Sequence, residues 1–248
     1  MRLSRITKHI YDQNWFAVGI DLIIVVIGVF IGIQVSNWSN DRAEMNQETV
    51  YLAELQEDFR KIVEELESDI AAYDGIVEAM SFLLAESRKV KSVFSSEDLT
   101  LAAKKLVSMV GTEIVSDTYS NLTGSGDLAI IRSREIKTSM ASFFARYEVV
   151  KLVATTHELQ LVNIFQPYAI ANLDYVSLLP DNRSVLPAAG FSSEIIASEL
   201  RSRKFRNVVA VKWDIATDLI GILDSALLDA RRVQALLSKE VSQLRSSG

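Results

Sequence analysis

The sequence predicts an all-α protein in which one N-terminal transmembrane helix continues into an elongated antiparallel helical bundle. Three observations support this prediction. Residues 16–35 form a nearly continuous apolar run, and residues 41–90 and 202–244 carry apolar side chains at every third or fourth position. The 248 residues also include only 3 prolines and 10 glycines, so long uninterrupted helices are possible.

The apolar run reads FAVGIDLIIVVIGVFIGIQV and contains a single carboxylate, Asp21. At a rise of ~1.5 Å per residue such a helix is about 30 Å long, which matches the hydrocarbon thickness of a bilayer. Trp15 and Trp38 flank the run, and indole rings favour the headgroup interface. We therefore predict a membrane span over residues 16–38, with the lipid bilayer as its first partner.

Charges on the two sides of the span predict its orientation. Residues 1–15 carry three basic side chains and one acidic one, whereas residues 39–48 carry three acidic and one basic. The positive-inside rule places residues 1–15 in the cytosol and residues 39–248 outside it, in the periplasm of a bacterium with the span in its inner membrane. The alternative is a cleaved signal peptide, but those have apolar cores of ~7–15 residues and a small-residue cleavage site. An uncleaved signal anchor is the preferred interpretation.

The composition of residues 39–248 narrows the classes of partner. Their formal charge is −7, because the tail and span contribute +1 to the total of −6. An acidic surface argues against nucleic acid as a partner, since phosphate binding needs clustered Lys and Arg. The chain has no cysteine, which excludes disulfides and thiolate metal sites. We expect one exported helical domain with no cofactor and no metal.

The first long helix is predicted over residues 41–90. Its apolar stripe advances in steps of three and four, and charged residues lie between the members of the stripe. No proline separates Trp38 from this stripe, so the membrane helix is expected to run on into the exported domain as a stalk. The stripe consists of Leu52, Leu55, Phe59, Ile62, Leu66, Ile70, Tyr73, Val77, Met80 and Leu84.

Shorter elements follow. Residues 95–98, SSED, provide N-cap chemistry for a helix over 99–110 that Gly111 is expected to end. Residues 116–133 are predicted as a loop, with a tight turn at residues 124–127. Ser133 is predicted to cap a helix over 134–165, which Pro167 would end or kink. Its expected interior residues are Ile136, Met140, Phe143, Phe144, Tyr147, Val150, Val153, Leu161 and Ile164.

A turn-rich connector is predicted over residues 178–190, followed by the second long helix over 202–244. Neither long helix can bury its stripe alone, so we expect them to pack antiparallel, in the manner of a coiled coil, with the middle helices completing the bundle. The second stripe consists of Val208, Val211, Ile215, Leu219, Ile222, Ala226, Ala230, Val233, Leu237, Val241 and Leu244.

Two segments resemble a family of uncharacterised single-pass bacterial membrane proteins. One is the acidic residue that opens the span, Asp21, with the following IIVVIGVFIGIQVSNW, and the other is TYSNLTGSGDLAIIRSREIKTSMASFFARY over residues 118–147. The resemblance implies a membrane-anchored, exported helical domain. It implies no catalytic residues.

Asp21 is the one residue for which the sequence suggests chemistry. An ionisable group inside a span costs about 2.5–3.5 kcal/mol at the centre and is a functional-site hypothesis by default. Its position resembles that of the acid in single-span, ion-carrying subunits of stators and energy-transducing transport complexes. In the alternative, Asp21 reaches the headgroups or pairs with Lys8 or with a neighbouring subunit.

Other candidate sites are weaker. Gly28 and Gly32 form a G-x-x-x-G face that lets two membrane helices approach closely, although glycine is common in such helices anyway. His157 lacks the second histidine of an H-E-x-x-H motif and is interpreted as structural. With no catalytic constellation, the sequence favours a non-enzymatic scaffold or accessory protein that works through a protein partner or a homo-oligomer. The alternatives are a periplasmic sensor module that signals through a membrane partner, and an ion-coupled subunit that uses Asp21.

Overall fold

A computed structural model describes residues 15–89, 95–111, 113–179 and 192–247. All regular elements among these residues are helices, as predicted. The chain divides into two units, Met1–Val50 and Tyr51–Gly248. The helices are α1 (Trp15–Glu86), α2 (Ser96–Lys104), α3 (Asp117–Ser125), α4 (Arg134–Gln160), α5 (Gln166–Asn172), α6 (Ser192–Glu199) and α7 (Arg203–Ser247), with 3₁₀ turns at Asp127–Ala129 and Tyr175–Leu178 and a π turn at Leu161–Phe165.

In the first unit, α1 contains the apolar run. From Gly19 onward this helix is long and apolar enough to cross a membrane, with a mean hydropathy of 2.3 over its most apolar 18 residues. None of those residues is buried within the protein. The helix ends only at Glu86, after 72 residues, so the expected continuation of the apolar helix into the following stripe is confirmed.

In the second unit, residues 51–86 of α1 contribute the first side of the core. Leu52, Leu55, Phe59, Ile62 and Leu66 are buried, as predicted. Three hydrogen bonds join this segment to α7, and the residue numbers rise in α1 as they fall in α7. The pairs are Gln56 with Ser238 at 3.1 Å, Glu67 with Arg231 at 2.7 Å and Ser81 with Trp213 at 2.9 Å. The two segments therefore run in opposite directions.

The register of both long stripes differs from the prediction in part of each helix. In α1, Asp69 is buried and the neighbouring Ile70 only partly so. In α7, Val209 and Lys212 are buried, whereas Val211 is 40% exposed. The prediction was wrong at Asp69 and Lys212 because a search for apolar residues passes over charged ones. At Val208, which is only partly buried, the prediction chose the apolar neighbour of the buried Val209.

The helix predicted over 134–165 is interrupted by the π turn. At its end, the Gln166 amide donates to the carbonyl oxygen of Leu161, five residues back. The extra residue rotates the chain, so Phe165 is fully buried and Ile164, a predicted interior residue, is 39% exposed. Pro167 falls in the first turn of α5, where a missing N–H costs nothing, and helical structure continues to Asn172.

Two shorter predictions also need correction. Residues 95–98 do contain the N-cap of α2, as a capping box between Ser95 and Asp98, but the helix begins at Ser96 and ends at Lys104, earlier than predicted at both ends. The carbonyls of residues 108 and 110 accept hydrogen bonds from side chains of other helices instead of continuing α2. Part of the predicted loop is the helix α3, which Ser116 caps and which ends at Gly126 with a φ of 85°. Residues 180–190 of the predicted connector lie outside the described residues.

Candidate functional site

Four carboxylate, imidazole or ammonium side chains are buried among the described residues of the second unit. One of them, Glu86, lies at the end of α1 and forms an ion pair with Lys89. The other three are Asp69 of α1, His157 of α4 and Lys212 of α7, and their exposed fractions are 4%, 0% and 0%. Tyr73 and Tyr147 lie among them. We call these five residues the polar layer. Charged side chains are rarely fully buried without a partner of opposite charge, so this layer is the most unusual feature of the core.

Lys212 makes three contacts in the interior of the domain. Its Nζ donates to the carbonyl oxygen of Ser108 at 2.8 Å, lies 3.1 Å from Nε2 of His157 and sits 4.9 Å from the centroid of the Phe165 ring. An ammonium group has three donors and no acceptor, so both nitrogen and oxygen partners must accept from Lys212. No carboxylate among the described residues pairs with it, and burial lowers the pKa of Lys212 to about 8.

His157 is the side-chain partner of the Lys212 ammonium. Its pKa is lowered to about 4 by burial and, secondarily, by the charge of Lys212, so the ring is neutral at pH 7. Because an ammonium can only donate, Nε2 accepts and the ring proton lies on Nδ1. Nδ1 is buried and has no hydrogen-bond partner within the described part of the chain. The ring packs between Tyr73 and Phe165, with centroid distances of 5.9 Å and 6.4 Å.

Asp69 holds a second unsatisfied atom. Its Oδ2 is buried without a hydrogen-bond partner in the described residues. Burial, with a smaller contribution from the charge of Glu65, raises the pKa of Asp69 to about 6. Nearby, the Tyr73 hydroxyl donates to the carbonyl oxygen of Val110 at 3.2 Å, and the Tyr147 hydroxyl accepts from the Ile114 amide at 2.7 Å. The polar layer thus binds the backbone of the segment between α2 and α3.

The π turn supplies one wall of the layer. It begins four residues after His157 and brings Phe165 against Lys212. Such turns are rare and are frequent at functional sites. The arrangement holds protons at two buried positions, His157 Nδ1 and Lys212 Nζ, and it joins the helices α1, α4 and α7 through the contacts of His157 with Tyr73 and Lys212. No group of three or more His, Asp or Glu that could bind a metal ion occurs among the described residues.

The site residues predicted from the sequence all lie in the first unit. Asp21 is exposed on α1, and a Cβ added at Gly28 or Gly32 would meet no atom within 4 Å. Trp15 is the first residue of α1. Trp38 is 64% exposed, and the guanidinium carbon of Arg42 lies 5.9 Å from its ring centroid. The geometry of these residues leaves the face of Gly28 and Gly32 open to another helix or to lipid.

Of the polar layer, sequence reasoning singled out only His157, as a structural residue. The apolar stripes predicted from the sequence did not include Lys212 or Asp69. Comparisons of the chain with protein-family models, with curated proteins and with solved structures found no match.

Proposed function

We propose that this chain is a single-span protein of a bacterial inner membrane and that its helical domain is a non-enzymatic scaffold or accessory module for partner proteins. In this proposal residues 1–15 are cytosolic and residues 39–248 form an antiparallel helical bundle in the periplasm. One observation carries it. The helix α1 is apolar and uncovered over its N-terminal part and then supplies a buried stripe of the helical core, without interruption.

The two parts of α1 support the proposal differently. A helix that is apolar on all sides and that no protein covers is suited to lipid. From Leu52 onward only one stripe of α1 is buried, as in a helix that packs against other helices in water. The excess of basic residues before the span and of acidic residues after it supports an exported domain.

A second candidate, a periplasmic sensor module, is favoured by the polar layer. Within the part of the chain that the structure describes, the Lys212 ammonium has no counter-ion and the His157 Nδ1 has no acceptor, and both cost stability. A domain that carries such costs across α1, α4 and α7 is suited to switch between two packings. It would then signal through another membrane protein. Specific stabilisation of the domain by a small molecule would support this function over a purely passive scaffold.

Co-purification from native membranes tests the proposal. The intact chain and the Asp21→Asn variant are isolated in mild detergent, and their partners are identified by mass spectrometry. A scaffold retains the same stoichiometric exported or membrane-anchored partners in both. Recovery of the chain alone in both samples would contradict the proposal. A multi-span partner that stays bound to an inactive Asp21→Asn variant would instead favour the ion-coupled subunit.

A further inference from the structure

The outer face of α4 exposes an apolar seam. Val149, Leu152 and Leu159 are 50%, 68% and 56% exposed, and with Thr156 they follow steps of three, four and three residues. This spacing is that of the a and d positions of a coiled coil, which bury themselves against a neighbouring helix. The opposite face of α4 packs in the core through Phe143, Tyr147 and Val150, which are already buried. The seam is therefore a second helix-packing face without a partner in the described part of the chain.

Beside the seam, α4 and α7 enclose a groove of about 410 Å³. Small side chains form much of its lining, so the backbone of a third helix can approach closely. A Cβ added at Gly221 would meet no atom within 4 Å, which leaves room above the floor. The seam and the groove share Val149, so they form one surface. The groove is lined by Ser142, Ala145, Arg146, Val149, Gly221, Ile222 and Ser225.

The α7 edge of this surface is acidic. Asp218 and Asp214 are exposed and precede Gly221 by three and seven residues, which places them on the groove side of α7. Neither has an ion-pair partner among the described residues. The cations on the α4 edge are already neutralised within the chain. Nε of Arg146 lies 2.5 Å from Oδ2 of Asp229, and Nζ of Lys151 lies 2.6 Å from Oε1 of Glu148.

We propose that this groove binds one amphipathic α-helix of a partner protein, with small apolar residues against the floor and Lys or Arg side chains facing Asp214 and Asp218. The inference rests on the proposed scaffold function and names its docking surface. A second copy of the chain fits less well, because the cations that flank its own seam, Arg146 and Lys151, are paired and supply no free charge to the acidic edge.

The test uses the full chain in nanodiscs of neutral phosphatidylcholine and two synthetic three-heptad helical peptides. Both peptides have Ala at a and Leu at d; one has Lys and the other Glu at e and g. Fluorescence anisotropy is expected to give micromolar binding of the Lys peptide and at least tenfold weaker binding of the Glu peptide. The double variant Asp214→Lys/Asp218→Lys should reverse this preference. The charge-matched variant Asp74→Lys/Glu78→Lys, on exposed positions of α1, should retain it.

Leu152→Glu places a charge in the seam at an exposed position, so it should abolish peptide binding without changing the circular dichroism spectrum. Leu101→Glu, on an equally exposed leucine of α2, should bind like the wild type. Equal binding of both peptides, or no effect of either groove variant, would overturn the proposal. A dimer that forms without peptide and that Leu152→Glu converts to a monomer would also overturn the proposal, because the groove would then hold a second copy of the chain. If the Lys peptide does not bind but partners are still recovered from membranes, only the groove proposal is overturned. If the peptide binds but no partner is recovered, only the scaffold proposal is overturned.

Discussion

Lys212 offers the sharpest prediction, because it is a buried cation that pairs with no carboxylate of the described residues. Its pKa is about 8 in the folded domain and 10.5 when exposed. Between these two values the unfolded chain binds a proton that the folded chain does not. The free energy of unfolding therefore increases as the pH rises through this range, which is the reverse of ordinary alkaline destabilisation.

The magnitude follows from the two pKa values. One pKa unit corresponds to 1.36 kcal/mol, so the full penalty for the buried charge is about 3 kcal/mol. Integrated from pH 8 to pH 10, the gain in stability is about 2 kcal/mol. The range ends at pH 10 because burial raises the pKa of Tyr73 to about 12, so stability falls again where tyrosines of the unfolded chain ionise.

The assay is urea unfolding of the full chain in a non-ionic detergent, followed by far-UV circular dichroism at several values of pH. The Lys212→Met variant keeps an unbranched apolar chain and removes the charge. From pH 8 to pH 10 the unfolding free energy of the wild type should rise by about 2 kcal/mol relative to that of Lys212→Met. Lys239→Met, at an exposed position of the same helix, should leave the profile unchanged. Parallel profiles for wild type and Lys212→Met would refute the reasoning.

Three further predictions concern the same domain and use the same assay. His157→Leu should lower the unfolding free energy at pH 7 by about 1–3 kcal/mol, because it removes an acceptor of Lys212. The lowered pKa of His157 makes the wild type more stable by about 3 kcal/mol at pH 7 than at pH 4, and the variant should lose this rise. An unchanged profile would show that His157 titrates normally. The raised pKa of Asp69 makes the folded state bind the extra proton, so this residue lowers the unfolding free energy by about 2 kcal/mol from pH 4 to pH 7, and Asp69→Asn should abolish that loss. A variant less stable than wild type at pH 7 would mean that the carboxylate has a favourable partner. Ser116→Ala removes the cap of α3 and an oxygen bound to Asp58, and it should cost about 1 kcal/mol and speed amide exchange in α3, whereas unaltered exchange would contradict this role of the cap.

The sequence predicted the helical class and the long helices well, because their apolar patterns extend over many turns. The helix α7 was predicted over 202–244 and is observed over Arg203–Ser247. The N-cap at Ser133 was also predicted correctly, and the N-cap of α2 falls within the predicted segment 95–98. Such signals are local and need no knowledge of tertiary contacts.

Tertiary packing decided what the sequence reading missed. Polar residues dominate α3, so no apolar stripe marked it, and only Ser116 followed by Asp117 at its start could have indicated a helix. The π turn depends on packing of Phe165 against the core and has no periodic signal of its own. The end of α2 is set by side chains from other helices that bind its following carbonyls.

The polar layer was missed for a related reason. A search for apolar residues replaced Asp69 by Ile70 and Lys212 by Val211. A strict alternation of steps of three and four would have found both, since Leu66 to Met80 and Phe205 to Leu219 then pass through Asp69 and Lys212. A charged residue at a position that such a pattern requires to be buried is therefore a signal of an internal site.

The central claim is that one membrane span carries an exported helical domain. The chain has no cysteine, so single-cysteine variants report position without background. Ser4→Cys lies in the tail, and Asn121→Cys lies at an exposed position of α3. With a membrane-impermeant maleimide, the account predicts labelling of Asn121→Cys in intact bacterial cells and of Ser4→Cys only after lysis. Protection of Asn121→Cys until lysis would contradict it.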